Sequence, residues 1–452
     1  MCDDHSVLIQ VIIRKLFNLH SLHAMFVFSL TKSFKRLPTG GYILNTPRNG
    51  SVARYNTNTA FFNRKREVAN FKSAFSADQA DLHVVLGPPS TGKTSLVKEV
   101  IQSSKFLFSP IFINLRSGQF DTPQKVYDSI YSQFHPFFNK HNSLLKHVFG
   151  GQFSLGYAGF NLGYRLYDKY KEKTSDDVRT LLDKISDRLP NRSFWDGYQI
   201  PPPILIIDEA NLFSQLGRND ETLLKSILNW FVLNSKERRR FHVVLTSSDS
   251  FFFNWIETLL NIPHAIPYVV GDLTIQEAEC YFEKHVLPRY GCKELSGKFD
   301  HIRRITGTRI LIINKYVNEY KIHKNDGIEL KDSRFSVYES EYSKLERGLY
   351  PEDFKLLDKR NPPLWEYADL IKVMNAIVKA ENQGYIFEND LIKDIGFKKV
   401  NSLIEYNFLH RRPTTRFAYD IVDPPADKII LTAMNQPSVC AMKQVLSEVA
   451  EA

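Results

Sequence analysis

Short apolar runs separated by amphipathic stretches organise the chain as far as Val270. His83–Leu86 reads as a buried strand that runs straight into a Gly-rich loop, and Ser95–Ser103 begins a helix. Pro110–Leu115 is a second strand, followed by a helix around Thr122–Phe138. Ile204–Ile207, behind the Pro201-Pro202-Pro203 break, is a third strand. Leu223–Val232 is a helix, Phe241–Leu245 a fourth strand and Tyr268–Val270 a fifth. Ahead of them Phe62, Val68, Phe71 and Phe75 recur at helical spacing. Four- or five-residue apolar runs alternating with helices predict an α/β fold, a parallel sheet with helices on both faces.

The stretch 117–200 is longer than one crossover needs. Within it Phe153, Leu155 and Tyr157, then Phe160, Leu162, Tyr164 and Leu166, alternate with Gly and polar residues, the pattern of an inserted hairpin. From Thr274 the period turns helical, over Thr274–Tyr290, Leu295–Thr306 and Thr308–Tyr320. A polar, charged connector follows. Beyond Pro362-Pro363, the helix Trp365–Ala380, the helices Asn389–Asp394 and Lys398–Tyr406 and the β-prone Phe408–Val422 give the order of a winged helix.

Gly87-Pro88-Pro89-Ser90-Thr91-Gly92-Lys93-Thr94-Ser95 fits the P-loop pattern in its required context of strand, loop and helix. Gly87 and Gly92 let backbone N–H groups curl around phosphate oxygens without a Cβ in the way. Lys93 brings a point charge to the β- and γ-phosphates. Thr94 offers a hydroxyl to Mg²⁺, and the helix N-terminus favours the anion. Pro203–Ala210 supplies the acidic partner. Asp208, at the end of an apolar strand, sits where Mg²⁺ is held, and Glu209 next to it is the candidate base for the attacking water. These residues predict an ATPase that uses ATP and Mg²⁺, with Glu209 and Lys93 as its catalytic pair. No guanine-reading Asn-Lys-x-Asp stands in the expected place.

Other positions leave two uses open. In Thr246–Asp249, Ser247 can reach the γ-phosphate, or the segment can cap the helix starting near Phe251. Arg238-Arg239-Arg240 is an arginine finger for a neighbour or, more in keeping with its composition, a solvated turn. Arg309, behind Gly307, can reach phosphates from a helical lid.

Charge changes the picture only at the start. The chain carries a formal +9, but residues 1–80 hold eleven Lys/Arg against four Asp/Glu, so the remaining 372 residues carry +2. A chain-wide footprint for nucleic acid is absent. No acidic residue stands between Asp4 and Glu67, which is the composition of a mitochondrial transit peptide. Asp3-Asp4 argues against that at Met1 but not at Met25. Mitochondrial import is the expectation, with a cytoplasmic protein bearing a basic tail as the alternative. Arg14-Lys15 splits the one long apolar run, so no transmembrane helix is expected. Four scattered cysteines without CxxC spacing argue against a disulfide framework or a zinc site.

Asn63–Glu67, the P-loop, Ile204–Glu209, Leu245–Asp249 and Leu273–Ala278 together resemble the archaeal-type ATPases of the STAND branch of AAA+-like NTPases, known in archaea and expanded in fungi. The resemblance covers roughly residues 60–425. It implies a sheet with an extra strand between the two nucleotide motifs, a helical lid and a C-terminal winged helix, with Asn63–Glu67 near the adenine. The family's lid motif is replaced here by Gly307-Thr-Arg309. The expected division is a basic leader 1–58, a P-loop core 59–271 with its hairpin near 150–167, a lid 272–322, a connector 323–363, a winged-helix domain 364–430 and a C-terminal helix 431–452.

Two functions fit. One is an ATP-switched regulator or scaffold acting on a protein partner or on a second copy of itself. The less favoured is a nucleic-acid-remodelling ATPase whose winged helix reads DNA through Lys398, Lys399, His410, Arg411, Arg412 and Arg416, against six interleaved acids between Glu388 and Asp423. A scaffold with little turnover is a third, weakened by Glu209.

Overall fold

The computed structural model describes residues 62–76, 79–103, 108–117, 120–149, 172–260, 265–327, 331–352, 362–413, 417, 419–425 and 427–451. They belong to one compact unit, Ala60–Ala452. The leader, the hairpin expected near 150–167 and Arg416 lie outside the described residues.

Five strands, β1 (Leu82–Leu86), β2 (Ser109–Asn114), β3 (Pro203–Asp208), β4 (His242–Thr246) and β5 (Ala265–Val269), form a parallel sheet in the order β2-β3-β4-β1-β5. The order places β4 between the strand feeding the P-loop and the strand ending in Asp208. Side chains alternate between two cores. Val85, Ile204, Ile206 and Val244 face α1 (Lys65–Ser76) and α2 (Lys93–Ser103). Val84, Leu205, Ile207, Val243 and Leu245 face the other layer, α3 (Pro123–Phe149), α4 (Ser175–Arg188), α5 (Arg192–Gly197), α6 (Phe213–Asn219) and α7 (Glu221–Val232). With both faces covered, the strands carry no polar alternation.

The helix expected to stop at Phe138 runs on to Phe149. Its apolar face continues through Phe137, Phe138 and Leu145, all buried, with Phe137 and His141 against the Trp195 ring. After α8 (Phe252–Leu260) and β5, the lid consists of α9 (Ile275–Tyr281), a wider turn at Phe282–Val286, α10 (Leu287–Tyr290), α11 (Phe299–Thr306) and α12 (Ile310–Asn325) around its own core.

The expected connector is not all connector. Within it α13 (Ser336–Gly348) buries Leu345 and Leu349 in the C-terminal core. A Cβ at Gly348 would come within 2.6 Å of the Phe408 ring, so glycine here permits close packing. Its charged outer face hides this short apolar stripe in the sequence. The C-terminal unit follows as α14 (Tyr367–Lys379), β6 (Ile386–Phe387), α15 (Glu388–Ile395), α16 (Phe397–Glu405), β7 (Leu409–Arg412), β8 (Ile430–Ala433) and α17 (Gln436–Glu451). Its three strands form an antiparallel sheet in the order β6-β8-β7.

Candidate functional site

All five parallel strands end at one edge, and the chemistry collects there. At Gly87 φ is +147°, and a Cβ would stand 2.2 Å from the Val270 carbonyl oxygen, because β5 ends beside β1. Gly92 has φ +90°. Lys93, Thr94 and Ser95 open α2. Thr91 Oγ1 donates to the Pro88 carbonyl, while Pro89, Ser90 and Ser95 are exposed along the loop. Lys93 is buried, and its Nζ donates to the Gly87 and Pro88 carbonyls at 2.9 Å each. Desolvation lowers its pKa to about 8, against the opposing attraction of Glu209 and Asp208.

Asp208 is the hub of the acidic side. Its Oδ1 accepts from Thr94 Oγ1 at 2.6 Å and from Thr246 Oγ1, and its Oδ2 accepts from Asn114 Nδ2 at 3.0 Å. Register explains the meeting, since Asn114 pairs with Asp208 across β2 and β3. Glu209 turns out of the strand in a left-handed conformation, φ 58° and ψ 44°, a costly choice for a residue with a Cβ. That turn carries its carboxylate to Arg116, whose Nη2 donates to Oε1 at 2.8 Å. Asn114 and Arg116 were not singled out from the sequence, and in Thr246–Asp249 the sequence pointed to Ser247 where Thr246 makes the contact with Asp208. Each lies at or just beyond a strand end, and that position was the one available signal.

The site suits Mg–ATP. Thr94 and Asp208 present hard oxygen donors 2.6 Å apart beside the lysine, and the space at Gly92, where nothing stands within 4 Å of a Cβ position, is open to phosphate oxygens. When bound, the ion would screen the phosphates' charge. The chain's own residues would grip the anion through Lys93 and orient a water through Glu209.

Ser247 is buried; its N–H donates to the Val85 carbonyl and its Oγ accepts from the Asp249 N–H. Asp249 in turn accepts from the Phe251 N–H ahead of α8. The turn Arg238–Arg240 precedes β4 and so lies at the opposite edge of the sheet from the cradle, which removes it from this chain's own site.

Three of the basic residues expected to read DNA, His410, Arg411 and Arg412, are buried instead, while Lys398 is exposed. Arg411 pairs with Glu388, Arg412 with both oxygens of Asp420, and His410 is 2% exposed. Burial and the neighbouring Arg412, Lys93 and Arg309 charges hold His410 well below the usual imidazole range. Lys399 is held by Asp369 and Glu366. The reason is where β7 packs, against the cradle edge of the core and not against solvent.

Arg309 departs from expectation in the same way. It stands beside the P-loop, its Nη1 3.3 Å from the Pro89 carbonyl, but its Nε and Nη2 are held by the Asp272 carboxylate and Nη2 also donates to the Met434 carbonyl. Burial pushes the Asp272 carboxyl up, but Arg309 outweighs it and draws it down. Asp272 N–H donates to Asp420 at 3.0 Å, and Gly271 leaves room for that carboxylate, 2.0 Å from where a Cβ would sit. On the other flank Arg64 donates to the Thr91 and Gly271 carbonyls, and Asn63 donates to Glu277 of α9.

Residues 61–261 match the family model of an ATPase domain predominantly from Archaea. Over those residues the chain is similar to ATPase domains of archaeal type, on a P-loop sheet. The matched span contains the cradle, Asp208, Glu209 and Ser247, and ends before Arg309. Among known proteins, an uncharacterised ATP-binding protein of Methanocaldococcus jannaschii is 25% identical over 305 residues, 67% of this chain and 80% of its own length. A second from the same organism is 24% identical over 275 residues, 59% of this chain and 72% of its own. A Walker-type ATPase of Pyrococcus abyssi superposes with a TM-score of 0.48 at 15% identity, over 85% of this chain and 96% of that one.

Proposed function

We propose that this ATPase domain is a nucleotide-driven switch that hydrolyses ATP and uses the C-terminal unit as its moving part. One observation carries the proposal. The cradle and the winged helix share a buried polar chain, from the Pro89 carbonyl through Arg309, Asp272 and Asp420 to Arg412. An anion arriving at the cradle competes for Arg309, and behind it Asp272, Asp420 and Arg412 are held to one another, so the competition is felt at the wing. The partner is a protein or a second copy of this chain. Leu364, Tyr367 and Phe397 are exposed on the C-terminal unit, Phe397 at the start of the helix whose first turn would have to meet DNA. A DNA reader needs free cations, but Arg411 and Arg412 are neutralised by Glu388 and Asp420 and Lys399 is held by Asp369, which leaves exposed Lys398 among the described candidates.

The test is hydrogen exchange at residues 409–421 with and without Mg–ATP, alongside ATPase rates with and without duplex DNA. Faster exchange with ATP, and a rate indifferent to DNA at every protein concentration, is the expected result. Equal exchange in both states, or a rate raised by DNA, overturns the switch.

A further inference from the structure

The strand β7 meets the core at a second place, separate from the Arg412–Asp420 pair. The Arg411 N–H donates to Ser250 Oγ at 3.1 Å, and its Nη1 donates to Asn254 Oδ1 at 3.0 Å. The other edge of its guanidinium is held by Glu388, at 2.6 and 3.3 Å, with both side chains 8% exposed. Between Ser250 and Asn254 stands Phe251, which packs on the apolar core of the C-terminal unit. The start of α8 is therefore built into two domains at once.

The same loop carries Ser247. Ser247 Oγ accepts from the Asp249 N–H at 3.0 Å, and Asp249 Oδ1 accepts from the Phe251 N–H at 2.8 Å. Burial raises the Asp249 carboxyl, and the Phe251 N–H opposes that rise. On its far side Ser247 Oγ approaches Asn211 Oδ1 at 3.4 Å, three residues past Asp208. Consecutive hydrogen bonds and one short backbone loop thus connect Arg411 of the C-terminal unit to the Ser247 hydroxyl, next in the chain to Thr246, which donates to Asp208.

We propose that Arg411 is a positioning residue for ATP hydrolysis, fixing the Ser247–Ser250 loop so that Ser247 faces the γ-phosphate and the attacking water. This rests on ATP hydrolysis at this site and on Ser247 reaching the γ-phosphate. Arg411 suits the task because its planar fork grips Glu388 along one edge and reaches Asn254 with the other, which a lysine cannot reproduce. A hydroxyl at the reacting centre tolerates little displacement, so a loosened loop slows chemistry more than it weakens binding. In this arrangement a C-terminal unit lifted off the core leaves ATP bound but slows its turnover.

Removing Arg411 outright would leave Glu388 buried and unpaired and risks unfolding. The decisive variant is therefore Asn254→Ala, at an exposed position, measured in the full chain by single-turnover hydrolysis and ATP affinity. Asn254→Ala is expected to slow hydrolysis about tenfold while ATP affinity stays within about twofold. Arg411→Lys is expected to behave the same way. Ser247→Ala is also slow, and adding Asn254→Ala to it costs nothing more, because both act through one hydroxyl. Wild-type rates in Asn254→Ala or Arg411→Lys overturn the proposal, as do effects that multiply in the double variant. A wild-type rate in Ser247→Ala would instead remove the role given to Ser247, and the proposal with it. Slow Ser247→Ala with multiplying effects removes the proposal alone.

Discussion

Lys93 is the residue on which binding turns, and its burial makes that dependence titratable. With a folded pKa of about 8 against 10.5 unperturbed, the lysine sheds its proton in the folded apo protein before the unfolded chain does. The unfolded state then binds more protons between those values, so the apo fold gains stability as pH rises from about 8 to 10.5. Phosphates draw the proton back. Above about pH 8, ATP binding should take up close to one proton, and log affinity should fall by about one per pH unit. Calorimetry in two buffers of different ionisation enthalpy reads the uptake, and a flat affinity would mean a lysine charged throughout. Lys93→Ala, which removes the buried charge, is expected to fold and to lose ATP binding. Glu209→Gln keeps its shape and its neighbours, so ATP affinity should hold while hydrolysis drops on the order of 10²-fold. Equal turnover in the two proteins would move the base elsewhere.

At the scale of elements, the packing of β7 against the core decides the character of the wing. Arg412 and Asp420 have side chains 6% and 8% exposed, so removing one leaves the other charge in a poorly solvated place. Arg412→Ala is expected to destabilise the fold by about 3–5 kcal/mol, with part recovered by adding Asp420→Ala, since the desolvation penalty of the stranded carboxylate then disappears. Urea unfolding measures both, and a loss under about 1 kcal/mol would place the pair in water. The basic look of Leu409–Pro413 in the sequence said nothing of this, because a run of arginines reads alike on a wing in solvent and on a strand facing buried carboxylates. The helix α13 was hidden for a related reason, its apolar stripe being short and its outer face charged.

Across the whole molecule, the parallel sheet was legible because a strand buried on both faces must be apolar at every position, and the cradle because phosphate chemistry restricts residue types at fixed spacing. Gly87, Gly92, Lys93, Thr94, Asp208 and Glu209 could be named from local order alone, each set by its neighbours in the chain. Asn114, Thr246 and Arg116 could not, because strand order and register bring them to the acidic pair from 94, 38 and 93 residues away. Nor could the partners of Arg309, Arg411 and Arg412, since a charge shows its sign in the sequence but not what it faces. The sheet, the cradle and the acidic pair can be read along the chain, because their requirements are local. That the C-terminal unit packs on the core through neutralised arginines could not be read there, because burial and charge pairing depend on what packs against each residue.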